Sequence, residues 1–412
     1  MTLRYVAAQN WLMAETFESV IDWLAHGARS APEAELFMAE TCDRIVACGV
    51  PLYRVGVFVR TLHPSMLGRN FIWRPGEAVK AGTMAHGDEF DDEFLLSPLY
   101  KVFHGGETVR QRMTSGAASN APFFADMVAE GVTDYIALPL HMSDGTVHAS
   151  SWTTRAKGGF TDAMIDGLRA IMPSLTRMIE IFLLRLMAAG LLNNYVGARA
   201  GSRILAGQIR RGHTETMNAA IWLSDLRGFT KLSDRLSSET VVQILNAYFD
   251  CQVPAILAHG GEVLKFMGDG LLAVFPIADD ASDATLVCKR VLDAAQECRV
   301  QIAALSHDTG KETIDGFRFG LALHVGRVLY GNIGGGDRLD FTCIGPAVNL
   351  AARIEKIAGS LGRSVVVSSL FNTYAGVPFS DLGEFAVAGF SAPERVYGLS
   401  DETTVPKAAA QH

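Results

Sequence analysis

Two aspartates at glycine-marked breaks are the residues best placed to do chemistry. The first, Asp225, lies in the run AAIWLSDLRGFT (residues 219–230), whose opening five residues are apolar enough for a buried strand. Gly228 follows, so the chain can turn tightly into a helix beginning near Thr230. That arrangement sets a carboxylate beside exposed helix N-terminal amides. The amides of Gly228, Phe229 and Thr230 attract phosphate oxygens, and the carboxylate can hold a divalent cation that bridges to them. The second, Asp269, sits in Gly268-Asp269-Gly270, the turn of a hairpin between apolar runs at 262–267 and 271–275. Alone, Asp269 reads as a plain turn aspartate, and Lys265, four residues earlier, as a solvated strand lysine. Next to Asp225, Asp269 completes a carboxylate pair suited to Mg2+, which takes few carboxylates plus phosphate oxygens.

A sheet must bring the two together. The pattern predicts a strand at 219–224, helices over 228–259, the hairpin, and a long helix over 281–305 with Val287, Val291, Ala294, Ala295 and Cys298 inward. Strands at 318–324 and 328–331, a helix over 347–358 and a strand at 364–367 follow. This is a βαββαβ core of α+β class, with helices expected over one sheet face and the first strand able to neighbour the hairpin.

Upstream, residues 15–48 read as helix broken by a Ser-Ala-Pro turn at 30–32. Strand-like runs follow at 53–61 and 70–74. Two more, at 131–142 and 146–154, flank Ser-Asp-Gly, a hairpin signal because Asp-Gly accepts positive φ. A helix from about 161 closes this α+β module. On it Ile165, Leu168, Met172, Leu175, Ile179, Phe182, Leu186 and Ala189 recur three and four apart and form one seam. The seam has two readings: a parallel coiled coil joining two chains, or the face packed on the N-terminal domain, where Pro173 interrupts the helix ladder. Gly190 and the basic, glycine-bearing stretch after it predict a hinged linker up to about His213. His63, His86 and His104 lie in polar loops and read as solvated.

The 412 residues, 49% of them hydrophobic, suffice for two or three domains, and a net charge of −8 offers no basic field for nucleic acid. Six scattered cysteines, without CxxC or zinc spacing, read as reduced small hydrophobes. The N-terminus has acid and amide too early for a signal peptide. The longest apolar run, 179–192, contains Glu180 and Arg185 and is too short to span a bilayer, so the expected location is cytoplasmic.

Four motifs in order, IWLSDLRGFT, EVLKFMGDGLLAVF, HVGRVLYGNIG and DFTCIGPAVNLAARIE, resemble the catalytic domain of class III nucleotidyl cyclases over about 205–400. The resemblance implies a ferredoxin-like fold and two metal ions, Mg2+ or Mn2+, on Asp225 and Asp269. It implies triphosphate contact by Arg327, whose planar fork suits phosphate. It also implies that Asn349 and Arg353, one helical turn apart, come from a partner subunit, Asn349 orienting the ribose and Arg353 stabilising charge at the α-phosphate. Lys265 and Thr342 stand at the base-selecting positions. A lysine there donates to adenine N1, so the pair points to ATP and resembles subgroup IIIb, with guanylate cyclase or a non-catalytic nucleotide-sensing module as alternatives. Pro346 departs from the aspartate usual before the Asn349 helix. Ala388 departs from a lysine that reaches the terminal phosphates.

The segment LPLHMSDGTVHASSW, followed by GGFTDAMIDGLRAIMPSL, looks like the end of a GAF domain, without that family's cyclic-nucleotide or bilin signatures. The expected organisation is therefore a GAF-like sensor at 1–160 for an unknown small-molecule or protein signal, a signalling helix and linker at 161–213, a cyclase domain at 214–400 and a flexible tail at 401–412. Because the resemblance splits the site between subunits, a homodimer is expected to form two equivalent sites.

Overall fold

In the computed structural model, residues 15–64, 66–87, 92–113, 122–278, 280–308, 313–336 and 338–402 are described. The expected tail at 401–412 lies outside these from residue 403 onward. The chain divides into two units, Met1–Leu191 and Leu192–His412.

In the first unit, α1 (Phe17–Ala25) and α2 (Ala34–Ala47) precede β1 (Arg54–His63), β2 (Met66–Trp73) and β3 (Lys80–Met84). Then come α3 (Asp92–Leu95), α4 (Pro98–Gly105), β4 (Val109–Arg112), α5 (Pro122–Ala129), β5 (Asp134–His141) and β6 (Val147–Thr154). The strands form one antiparallel sheet in the order β3-β2-β1-β6-β5-β4. Its main core joins alternate residues of β1, such as Val55, Val57 and Val59, to Leu24, Phe37 and Ile45 of the two N-terminal helices. On the opposite face Leu99, Val102 and Phe124 pack with Tyr135. The predicted hairpin is present: Gly145 has φ +86 and Asp144 accepts from the Thr146 amide at 2.9 Å.

A 35-residue helix, α6 (Asp162–Val196), follows and runs unbroken through Pro173. Its start is anchored by buried Asp134, which accepts from the Phe160 amide at 3.0 Å and from Arg110 Nη2 at 2.7 Å. Seam residues Ile165, Leu168, Met172, Leu175 and Ile179 are all buried in the first unit's core, and Phe182 packs on Phe37 with ring centroids 4.9 Å apart. This part of the seam is therefore the packed face of its own domain.

The second unit opens with α7 (Ala198–Leu205), where the linker was expected to hinge. The hinge gives way to packing: Ala200 is buried with Ala219 and Ile221, and Arg203 Nη2 donates to Glu215 Oε1 at 2.5 Å while its guanidinium sits 5.3 Å from the Tyr330 ring. Then follow β7 (Thr214–Leu226), α8 (Phe229–Arg235), α9 (Ser238–Asp250), α10 (Val253–Ala258), β8 (Glu262–Met267), β9 (Gly270–Ile277) and α11 (Ala281–Ala304). The remainder is β10 (His307–Asp308), β11 (Thr313–Ile314), β12 (Phe319–Gly335), β13 (Arg338–Ile344), α12 (Pro346–Leu361), β14 (Val365–Ser368), α13 (Ser369–Ala375), β15 (Phe379–Phe385) and β16 (Glu394–Leu399). The stretch Ser238–Ala258, long and apolar enough to cross a membrane by length and composition, is α9 with α10, and it buries Ile244, Tyr248, Ala255 and Ile256 in this unit's core.

The sheet order is β15-β16-β14-β12-β7-β9-β8, with β13 paired to β12. Taking β7, β8, β9 and β12 as the four strands of the βαββαβ unit, their spatial order is 4-1-3-2. Helices cover both faces, not one. Ala220 and Trp222 pack with Ile244 and Val291 on one side, while Ala219, Ile221 and Leu223 pack with Ala347 and Ala351 on the other. The cause is legible in AAIWL, an apolar run without polar alternation, which suits a strand buried on both faces.

Candidate active site

Asp225 stands near the end of β7, opposite Gly320 on β12, and Asp269 stands in the turn between β8 and β9. Because β9 pairs with β7, the turn comes alongside the strand end, and the Asp269 carboxyl lies within hydrogen-bonding reach of Asp225. Burial, then the neighbouring Asp225, pushes the Asp269 carboxyl up to about 7. Two carboxylates held this close lack a positive charge between them. Among the described residues no group of three or more His, Cys, Asp or Glu side chains forms a metal cage. The pair therefore fits Mg2+ or Mn2+ as an ion held by two carboxylates with the remaining positions left to phosphate and water.

Gly228, at φ +81, turns the chain into α8, and it borders with Phe229 and Thr230 the same cleft as the two aspartates, about 1360 Å3 in volume. Lys231 and Arg318 also line this cleft, with no anionic partner among the described residues. Ala388, exposed in the loop between β15 and β16, does not line this cleft.

Sequence reasoning missed Arg227 and Glu355. Glu355 meets Arg227, Nη1 to Oε1 at 2.6 Å. That contact is ionic and does not complete a hydrogen bond to Oε1, while Arg227 Nη2 donates to the Glu355 carbonyl at 3.3 Å. Burial raises the Glu355 carboxyl and Arg227 opposes the rise; Asp225 lies within its field. Two glycines leave room for Arg227. A Cβ on Gly320 would fall 1.6 Å from Arg227 Nη2, and one on Gly359 would fall 2.9 Å from Nη1.

The remaining predicted residues do not join this cleft within one chain. Lys265, on β8, pairs with Asp340 at 2.5 Å, both side chains about half exposed. Asp340 and buried Thr342 are two apart on β13 and share a strand face, so Lys265, Asp340 and Thr342 make one cluster. Asn349 and Arg353 are exposed on α12, whose first turn carries Pro346 as a helix-compatible start. Asn349 and Arg353 do not line the cleft, which α12 borders further along through Glu355, Lys356, Gly359 and Ser360. Arg327, exposed on β12, is opposite Asn218, seven residues along β7 from Asp225 and therefore roughly 23 Å from it.

The sheet end thus carries two paired carboxylates beside a cleft of about 1360 Å3. Residues 212–400 match the family model of the adenylate and guanylate cyclase catalytic domain, which supports a class III cyclase catalytic domain in this segment. An adenylate cyclase of Anabaena cylindrica is 32% identical over 162 residues, covering 39% of this chain and 31% of that protein. Adenylate cyclase 2 of Rhizobium meliloti is 26% identical over 305 residues, covering 73% of this chain and 76% of that protein. The crystal structure of the adenylyl cyclase CyaB from P. aeruginosa is 27% identical, covering 46% of this chain and 97% of that one, with a TM-score of 0.40. The chain spans about a third or less of the length of the first curated relatives it matches.

Proposed function

We propose that this chain is an adenylate cyclase converting ATP to 3′,5′-cyclic AMP and diphosphate at sites shared between two copies. The observation that carries the reading is the meeting of Asp225 and Asp269 at the end of β7. When bound there, two divalent cations, Mg2+ or Mn2+, would favour loss of the ribose 3′-hydroxyl proton and neutralise the triphosphate. The 3′-oxygen then bonds to the α-phosphorus as the bond to diphosphate breaks.

The chain's own groups have the following roles in this proposal. Asp225 and Asp269 hold the cations, and the backbone amides of Gly228, Phe229 and Thr230 orient phosphate oxygens. In the partner copy Asn349 positions the ribose, Arg353 offsets charge developing at the α-phosphate, and Lys265 with Thr342 reads adenine. Arg327, far from Asp225 in its own chain, contacts the triphosphate only if the second copy brings it there. Asn349 and Arg353 are exposed and do not line their own chain's cleft, which supports this division.

The N-terminal unit regulates turnover through α6, and the protein works in the cytoplasm. Purified full-length protein incubated with ATP or GTP and either metal, beside Asp225→Ala, tests the activity. Cyclic AMP formed from ATP and absent in the variant supports the reading; no cyclic product with either nucleotide contradicts it. Lys265→Glu tests base choice, with a shift from ATP toward GTP expected.

A further inference from the structure

The N-terminal unit contains an apolar cavity of about 390 Å3, in the size range of small-molecule sites, between the inward face of its sheet and helices α2 and α6. The sheet wall is built from residues directly opposite each other on β1 and β2: Val57 faces Phe71, and Val59 faces Arg69. Period-2 alternation thus places an arginine on the inward face at the end of an apolar stripe. Arg69 is half-buried, lines the cavity and has no anionic partner among the described residues. On the helical wall the Thr41 hydroxyl is already committed to the Phe37 carbonyl at 2.7 Å, and half-buried Glu35 of α2 also lines the cavity. Glu33 and Arg185 are exposed and border the mouth, the Arg185 guanidinium lying 5.8 Å from the Phe182 ring. Among the described residues, Arg69 is the one cation on the inward sheet wall of this cavity.

We infer that this cavity binds a small amphiphile with a carboxylate head, of the medium-chain fatty acid class. Its chain fills the apolar space between Val57, Phe71 and Trp152, and its carboxylate meets the planar fork of Arg69, to which a carboxylate is the matched two-oxygen partner. Leu175, Ile179 and Phe182 of α6 also line the cavity, so a bound chain presses on the same helix that continues beyond Leu191. Binding stands on the cavity alone, whereas an effect on turnover rests on the proposed regulatory role of the N-terminal unit.

The test uses the full chain with decanoate, 1-decanol and decyltrimethylammonium below their micelle concentrations. Binding is read by thermal shift and by quenching of Trp152 with bromine-labelled decanoate, with Trp152→Phe as the location control. Decanoate is expected to bind saturably and raise the melting temperature, and to quench the wild type more than Trp152→Phe. Arg69→Gln should weaken decanoate about tenfold and leave 1-decanol unchanged. No saturable decanoate binding, equal affinity in Arg69→Gln, or equal binding of the cationic amphiphile overturns the site. Cyclic product measured in the same titration separates the two readings. Binding without a change in rate leaves the site standing and refutes its regulatory part; absence of product under all conditions refutes the cyclase reading and leaves the binding result intact.

Discussion

Arg227 and Glu355 meet at 2.6 Å on the wall of the cleft that Asp225 and Asp269 line, in space kept open by Gly320 and Gly359. The pair neutralises a carboxylate that would otherwise add a third negative charge beside Asp225 and Asp269. Gly320→Ala should break it, because the new methyl would fall on Nη2. Leaving the part-buried Glu355 without its partner is expected to cost roughly 1–3 kcal/mol. Urea unfolding of Gly320→Ala, with Glu355→Gln in the same background restoring part of the loss, checks it. Unchanged stability would show that Arg227 moves aside freely.

Two buried histidines should make the fold acid-sensitive. Burial pushes His148 and His324 each down to about 4; the His148 ring accepts the Arg60 amide through Nδ1 at 3.0 Å, and His324 Nδ1 bonds the Ser368 hydroxyl at 2.8 Å. The unfolded chain binds protons below the ordinary histidine value of 6.5 while the folded one stays neutral to about 4. Stability is therefore full above pH 6.5 and falls as pH drops through that window, by on the order of 3 kcal/mol per histidine. Urea midpoints between pH 4.5 and 8 should slope less steeply in His324→Gln. An identical slope would contradict the assignment.

The start of α6 should depend on Asp134. It is fully buried, is held by Arg110 and caps the Phe160 amide, and a Cβ on Gly159 would fall 2.5 Å from its Oδ2. Asp134→Ala strands that amide and removes the closer of the two anionic partners of Arg110, a loss expected at roughly 3 kcal/mol. Thermal unfolding should show a lowered transition. A change below about 0.5 kcal/mol, the usual size for a surface substitution, would show that Asp162, 3.7 Å from Arg110, substitutes fully.

Much of this architecture was legible in the sequence. AAIWL announced β7, Gly268-Asp269-Gly270 announced the β8–β9 turn, and Ser-Asp-Gly announced the β5–β6 hairpin, because in each case a local backbone requirement selects the residue types. What stayed hidden was long-range. The seam on α6 looked equally suited to another chain or to its own domain, since periodicity reports an apolar face and not what covers it. Gly190 and the glycines after it suggested a hinge, yet Ala200, Arg199 and Arg203 find partners on the second unit's sheet that no local pattern encodes. Arg227–Glu355 spans 128 residues and was likewise invisible. Lys265 and Asp340, 75 residues apart, illustrate the same limit.

The central claim is that one catalytic site needs two copies of the chain, since Asn349 and Arg353 do not line the cleft holding Asp225 and Asp269. Co-expression of Asp225→Ala with Arg353→Ala, followed by isolation of mixed dimers, tests it most directly. Each variant alone should be inactive. The isolated mixed dimers should show roughly half of wild-type cyclic AMP formation, because each carries one intact site of two. Mixed dimers as inactive as either parent would contradict the shared site.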